Sequence, residues 1–159
     1  MRWVELFAGI GGFRLGLEAA GHQVVWANEL DPYACKVYRK RWPDGTLHEG
    51  DIKRIDPASL PYADGICGGF PCQPVSVAGK RKAQADPRWL WPEVMRFIST
   101  IRPRYVFLEN VPGLLLQGFG DILVDLASIG YDAEWDCIPA SFVGAPHKRE
   151  RIWIVAYPM

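Results

Sequence analysis

Apolar and polar positions along the chain follow two alternating patterns. Short apolar runs predict buried strands, whereas apolar residues three or four positions apart predict amphipathic helices. The predicted strands are residues 3–7, 23–27, 64–67, 104–108, 131–138 and 151–157, and the predicted helices are residues 13–20, 32–41, 87–100 and 122–129. Because strands alternate with helices, the sequence predicts an α/β fold of three layers around a mostly parallel sheet.

Length and composition suit a single globular domain that spans residues 1–159. Hydrophobic residues make up 49% of the chain and charged residues 23%, which is close to the average for globular proteins. The 18 basic and 18 acidic residues cancel, so any contact with nucleic acid must come from local clusters. Two clusters are candidates, Lys80–Lys82 and Lys148–Arg151, although a solvated surface accounts for either equally well.

The four cysteines do not suggest a disulfide framework or a zinc site. They are scattered, form no C-x-x-C pair and have no histidine cluster beside them. Cys35, Cys67 and Cys137 lie in apolar surroundings, so we expect them to fill the core. No signal peptide and no apolar run of about 20 residues is present, which predicts a cytoplasmic location without a membrane span.

Candidate binding residues follow the first two predicted strands and end the short segment after the second helix. A glycine-rich turn, Phe7–Gly12, follows the first strand, and Asn28-Glu29 follow the second. A glycine turn with an acid about 20 residues later is typical of nucleoside cofactors, although a tight turn alone explains the glycines about as well. Asp51 ends the next segment, and a simple turn residue is an equal alternative there.

The segment Gly68–Pro74 places a thiol on a stiff turn. Pro71 and Pro74 fix the backbone around Cys72, which follows the end of a predicted strand. Such a thiol is exposed and aimed for nucleophilic attack, but a proline- and glycine-rich loop with an incidental cysteine fits the segment equally well.

Two further groups lie at the ends of later strands. Glu109 ends an apolar strand, where burial would raise its pKa and make it a proton donor; a surface acid is the alternative. Arg149 and Arg151 precede the last strand, and solvated edge arginines account for them as well.

Together these segments resemble the DNA (cytosine-5)-methyltransferases. Residues 5–12 are similar to the cofactor motif of that family, residues 69–73 to its catalytic motif, residues 109–111 to its base-holding motif and residues 149–151 to its arginine motif. They occur in the order of the family and span nearly the whole chain. The resemblance implies a Rossmann-like methyltransferase fold and S-adenosylmethionine as cofactor.

The resemblance also implies a role for each site residue. Cys72 would attack C6 of a flipped cytosine, Glu109 would hold N3 and the exocyclic amine, and Arg151 with Arg149 would bind the O2 side. The residues implied for the cofactor are Phe7, Ala8, Gly9, Gly11, Gly12, Glu29, Asp51, Ile52 and Pro71. The residues implied for the DNA substrate are Gln73, Ser76, Lys80 and Asn110.

The chain ends at Met159, directly after the strand of the arginine motif. The target-recognition domain and the last two motifs of the family have no counterpart in it. The resemblance implies double-stranded DNA as substrate, in a restriction-modification setting in bacteria or phage, and the missing segments add a possible second polypeptide as partner. A cofactor-binding fragment without turnover, one chain of a split enzyme and an unrelated nucleotide-dependent oxidoreductase remain alternatives.

Overall fold

A seven-stranded sheet forms the centre of the molecule in the computed structural model, which describes residues 1–71 and 89–159. The strands are β1 (Arg2–Leu6), β2 (Gln23–Glu29), β3 (Leu47–Glu49), β4 (Gly65–Gly68), β5 (Tyr105–Asn110), β6 (Tyr131–Pro139) and β7 (Glu150–Pro158). The helices are α1 (Gly12–Ala19), α2 (Pro32–Arg41), α3 (Trp91–Ile101) and α4 (Phe119–Ser128). The predicted α/β fold is confirmed.

The strand order is β3-β2-β1-β4-β5-β7-β6. Strands β1 to β5 pair in parallel, and β7 is antiparallel to both of its neighbours. From β1 the chain first moves outward to β2 and β3, then returns to place β4 on the other side of β1. Ligands of open α/β sheets bind at such a switch point, beyond the carboxyl ends of the strands.

The two faces of the sheet carry separate apolar clusters because successive side chains of a strand point to opposite faces. Val4 and Leu6 of β1 pack toward α3 and α4 in the larger cluster, together with Val106 and Leu108 of β5. Trp3 belongs to the second cluster, on the face that α1 and α2 cover.

One part of this second face is not covered by the described residues. Phe13 of α1, Phe107 of β5 and Trp153 of β7 line a groove of about 920 Å³ there. Phe107 and Trp153 stack with ring centroids 5.3 Å apart, and Phe13 meets Phe107 edge-on at 5.5 Å. The groove is apolar along its length and reaches Glu109 and Arg151 at the carboxyl end of β5.

The start of α3 and the presence of β3 differ most from the predictions. Helix α3 begins at Trp91 rather than near residue 87, with Pro92 in its first turn, where a missing N–H costs nothing. Strand β3 is not predicted because its three residues are too few to show an alternating pattern.

Within residues 1–71 and 89–159, none of the helices combines the length and apolar character that a bilayer span requires.

Candidate active site

A cavity of about 350 Å³ opens beyond the carboxyl ends of β1, β2 and β4. It coincides with the switch point of the strand order. Five of the residues predicted to bind a cofactor line it: Phe7, Glu29, Asp51, Ile52 and Pro71. Strand ends and the family resemblance together had placed these five residues at one predicted site, and the structure brings them to one cavity.

The turn between β1 and α1 forms one wall of the cavity. Phe7, Gly9 and Gly11 have φ of 54°, 55° and 89°, in the left-handed region that glycine adopts without strain and phenylalanine does not. The N–H of Ala8 donates to the carbonyl of Asn28 at 2.8 Å. Gly11 must lack a Cβ because the ring of Trp42 lies directly against it, and Gly12 lines the apolar groove instead.

Backbone N–H groups fix the carboxylate of Glu29 at the end of β2. One oxygen accepts from Gly9 at 2.7 Å, and the other accepts from Leu30 and Asp31 at 2.8 Å each. Three donors to a single carboxylate restrict its orientation. Glu29 thus ties the glycine turn to β2 while it faces the cavity.

Asp51 is a turn residue and a cavity residue at once. Its carboxylate accepts from the N–H of Lys53 at 3.0 Å and caps a short 3₁₀ turn that starts at Ile52. The side chain of Asn28 donates to the carbonyl of Gly50 at 2.9 Å and so holds the preceding residue in place. The sequence left Asp51 as either a simple turn residue or part of the cofactor site, and these two interpretations do not exclude each other.

Glu109 and Arg151 form an ion pair at the carboxyl end of β5. Nε of Arg151 lies 2.8 Å from Oε1 of Glu109, and each side chain is about one-quarter exposed. A Cβ on Gly69 would lie 2.9 Å from Oε2 of Glu109, so this carboxylate packs directly on the chain that leaves β4. Glu109 is therefore neither a solvated surface acid nor a fully buried one.

Arg149 and Asn110 differ from this pair in their surroundings. Arg149 is exposed, has φ of 35° and lines the mouth of the apolar groove. Asn110 is buried and donates from Nδ2 to the carbonyl of Phe70 at 3.0 Å, while its oxygen accepts from Val111. Asn110 thus joins the ends of β4 and β5, and its predicted contact with substrate stays a prediction.

Four predicted site residues, Cys72, Gln73, Ser76 and Lys80, lie outside the described residues. Cys72 is bonded to Pro71, the last described residue before that gap. Burial raises the pKa of the Cys35, Cys67 and Cys137 thiols. A raised pKa disfavours the nucleophilic thiolate, so these three are unsuited to attack.

Sequence reasoning missed a buried polar cluster behind the glycine turn. Glu5 of β1 is fully buried, and Arg14 of α1 is only 4% exposed. The signal was present, because Glu5 is a charged residue inside an apolar strand on the same face as Trp3. Sequence reasoning also placed Leu90 inside a helix, whereas it precedes α3 and lines the cavity.

Comparison with known proteins gives consistent matches over the whole chain. A family model for C-5 cytosine-specific DNA methylase matches residues 1–158. The type II methyltransferase M.HgiBI of Herpetosiphon aurantiacus is 43% identical over 97% of this chain, and M.HhaI of Haemophilus parahaemolyticus is 36% identical over 99%. The chain spans 36% and 49% of those two relatives, respectively.

Solved structures of methyltransferases match the fold over nearly the whole chain. A putative DNA modification methyltransferase encoded within an E. coli prophage has a TM-score of 0.81 and 27% identity, over 99% of this chain and 47% of that one. The S. pombe Dnmt2 methyltransferase has a TM-score of 0.84 at 22% identity, over 99% and 51% of the two chains. The fold is the Rossmann-like fold of these methyltransferases, as the sequence predicted.

Proposed function

The chain belongs to the C-5 cytosine-specific DNA methylase family, and on that premise we propose that residues 1–159 form the catalytic domain of a DNA (cytosine-5)-methyltransferase. The domain would transfer a methyl group from S-adenosylmethionine to C5 of a cytosine flipped out of double-stranded DNA. The relatives are named as type II methyltransferases, which supports a restriction-modification role.

The ion pair between Glu109 and Arg151 is the observation that carries this proposal. It presents a carboxylate and a guanidinium side by side. The carboxylate lies against Gly69, and Gly69 precedes Cys72 by three residues in the sequence. A cytosine ring offers N3 and an exocyclic amine on one edge and O2 beside them. Glu109 would hold the first two and Arg151 the third, with Arg149 as a further cation at the rim.

The smaller cavity would take the nucleoside part of S-adenosylmethionine. Its volume of about 350 Å³ is at the lower end of the range for small-molecule sites. Glu29 would hold the ribose hydroxyls, the ring of Phe7 would stack on adenine, and Asp51 with Ile52 would contact the adenine edge. When bound, S-adenosylmethionine supplies the electrophilic methyl group.

Cys72 would supply the nucleophile. Its thiolate would add to C6 to form a C–S bond, and the electron pair of the C5–C6 double bond would make C5 nucleophilic. C5 would attack the methyl carbon, whose bond to the sulfonium sulfur breaks and leaves S-adenosylhomocysteine as a neutral thioether. A base would then remove the C5 proton, and the bond between C6 and the Cys72 sulfur would break, which restores the double bond and the thiolate. Arg151 and Glu109 would stabilise the charge that develops on the ring.

Residues outside the described parts complete the proposed site. Gln73, Ser76 and Lys80 would contact the flipped nucleotide and its phosphates. A duplex has to be opened for this chemistry because C5 and C6 of a stacked cytosine are not accessible to a thiol.

One alternative keeps the cofactor cavity but not turnover by this chain alone. The chain spans 36–49% of the curated relatives compared, and the groove beside Trp153 is open in the described residues. Both observations favour a requirement for a further polypeptide, supplied by a longer protein or by a second chain, that recognises the target sequence.

Covalent trapping tests the proposal and separates it from the alternative. The chain is incubated with tritiated S-adenosylmethionine and a duplex library in which cytosines are replaced by 5-fluorocytosine, which blocks proton removal from C5. We expect an adduct that survives denaturation in the wild type and in Cys137→Ser, the matched thiol control, but not in Cys72→Ser.

Two results would contradict this expectation. An adduct that persists in Cys72→Ser would exclude Cys72 as the nucleophile. No adduct in the wild type, when the cofactor still binds, would support the alternative in which the chain needs a further polypeptide.

A further inference from the structure

A carboxyl group that takes no part in the proposed chemistry lies directly behind the cofactor turn. Glu5 of β1 has no exposed surface. Its Oε1 accepts from the backbone N–H of Arg14 at 3.3 Å, and its Oε2 accepts from the hydroxyl of Tyr38 at 3.0 Å. One side chain therefore joins β1, α1 and α2 behind the glycine turn.

Helix α1 has no capping side chain of its own. Its N-cap is Gly11, and Arg14 is the third residue of the helix. The first backbone N–H groups of a helix have no partner inside it, and a side-chain oxygen commonly satisfies the N–H of the third residue. Glu5 fills this role from the neighbouring strand, so it fixes where the glycine turn ends and α1 begins.

The other contacts of this cluster hold α1 against α2 and the loop before β3. Nη1 of Arg14 donates to the hydroxyl of Tyr38 at 3.3 Å and to Thr46 at 2.7 Å. The guanidinium also pairs with Glu18 at 2.7 Å and with Asp44. The guanidinium of Arg14 thus bonds to groups other than Glu5. Glu5 connects this cluster to the sheet through its bonds to the backbone of Arg14 and to Tyr38.

We propose that Glu5 is a positioning residue of the cofactor site, which holds the Phe7–Gly12 turn in its binding shape by capping α1 and anchoring Tyr38. This inference rests on the proposed function, because the ligand of the turn is taken to be S-adenosylmethionine. Glu5 acts through the turn and does not touch the cofactor.

The two hydrogen bonds of Glu5 do not both require a negative charge. A glutamine at this position has an oxygen that accepts from Arg14 and an amide that donates to the Tyr38 hydroxyl. A leucine leaves the backbone N–H of Arg14 and the hydroxyl proton of Tyr38 without their buried acceptor. The groups that face Glu5 are Arg14 and Glu18 from α1, Tyr38 from α2 and Cys67 from β4.

Two matched tyrosine variants separate positioning from general destabilisation. Tyr38→Phe and Tyr131→Phe each remove one buried hydroxyl, but the hydroxyl of Tyr131 donates to Pro103, far along the chain from the turn. Tyr38→Phe removes both hydrogen bonds of that hydroxyl, and we expect it to weaken S-adenosylmethionine binding to the full chain about tenfold in calorimetry. Tyr131→Phe should change the affinity less than twofold.

Variants of Glu5 complete the test. Glu5→Leu should weaken S-adenosylmethionine binding more than tenfold and speed amide hydrogen exchange in residues 7–14. In Glu5→Gln, the affinity and the exchange rates should both stay within about threefold of the wild type. Wild-type affinity in Glu5→Leu, or equal losses in the two tyrosine variants, would overturn the inference. Failure of the wild type to bind would contradict the proposed function instead, and hydrogen exchange would still decide whether Glu5 holds the turn.

Discussion

At the scale of single residues, three glutamates at the same edge of the sheet have three different environments. Glu5 is fully buried, Glu29 accepts from three backbone N–H groups, and Glu109 pairs with Arg151. Position at a strand end was enough to single out Glu29 and Glu109 as candidates from the sequence, and their roles stay predictions. Glu5 was missed because its partners, Arg14 and Tyr38, are distant in sequence and meet it only through the fold.

Glu5 should make the stability of the domain depend on pH. Burial raises the pKa of Glu5 from 4.5 to about 7, so the folded chain keeps a proton that the unfolded chain has released. The contribution of Glu5 to stability is therefore fully present below pH 4.5 and is lost as pH rises through 7. For 2.5 pH units this amounts to about 3 kcal/mol in the free energy of unfolding.

Urea titrations at pH 4.5 and pH 7 would measure this loss. Glu5→Gln has no proton to lose there, so its free energy of unfolding should fall much less between the two values. The Arg14 guanidinium lowers the pKa of Asp44 to about 2, so the contribution of Asp44 is lost only as pH falls below about 4, outside this window. Parallel pH curves for the wild type and Glu5→Gln would contradict the role of Glu5.

At the scale of elements, the sequence predicted types and order better than ends. Helix α2 has the predicted bounds because Pro32 lies in its first turn and Asp31 caps it, and both are local signals. The start of α3 was wrong because Leu90 continues the apolar spacing, although it lies just outside the helix and faces the cavity. Periodicity cannot separate a helical residue from a neighbour that packs on the same side.

At the end of β4, two adjacent glycines leave room for different neighbours. A Cβ on Gly68 would collide with the backbone carbonyl of Leu6, which cannot move without breaking the β1–β4 pairing. A Cβ on Gly69 would meet only the carboxylate of Glu109, the mobile end of a side chain. Gly69 is therefore tied to the site more than to the fold.

Gly69→Ala should damage the site while it spares the fold. We expect the carboxylate of Glu109 to shift away from β4, with a stability loss below about 1 kcal/mol and at least a tenfold drop in covalent trapping of 5-fluorocytosine DNA. Gly113→Ala is the matched control, because a Cβ there meets no atom within 4 Å. Equal trapping by the two variants would show that the position of Glu109 does not matter.

At the scale of the whole molecule, the order of strands sets where the site forms. The sequence predicted a mostly parallel sheet, but which strand neighbours which depends on long-range pairing that local patterns do not encode. The placement of β4 beside β1 brings Phe7, Glu29 and Pro71 around one cavity. Strand ends indicated which residues to group, but the position of the switch point and the apolar groove beside Trp153 depend on this strand order.

Binding of S-adenosylmethionine to the full chain tests the central claim most directly, because the proposed function and the role of Glu5 both depend on the cavity at the switch point. Calorimetry should show binding by the wild type and a loss of at least tenfold in Glu29→Gln, because a glutamine cannot accept at both terminal atoms from Gly9, Leu30 and Asp31.

Glu49→Gln is the control, since Glu49 pairs with Glu29 in the sheet but its side chain contacts the exposed Arg39. Its affinity should stay within about twofold of the wild type. No binding by the wild type, or equal losses in the two variants, would contradict the account.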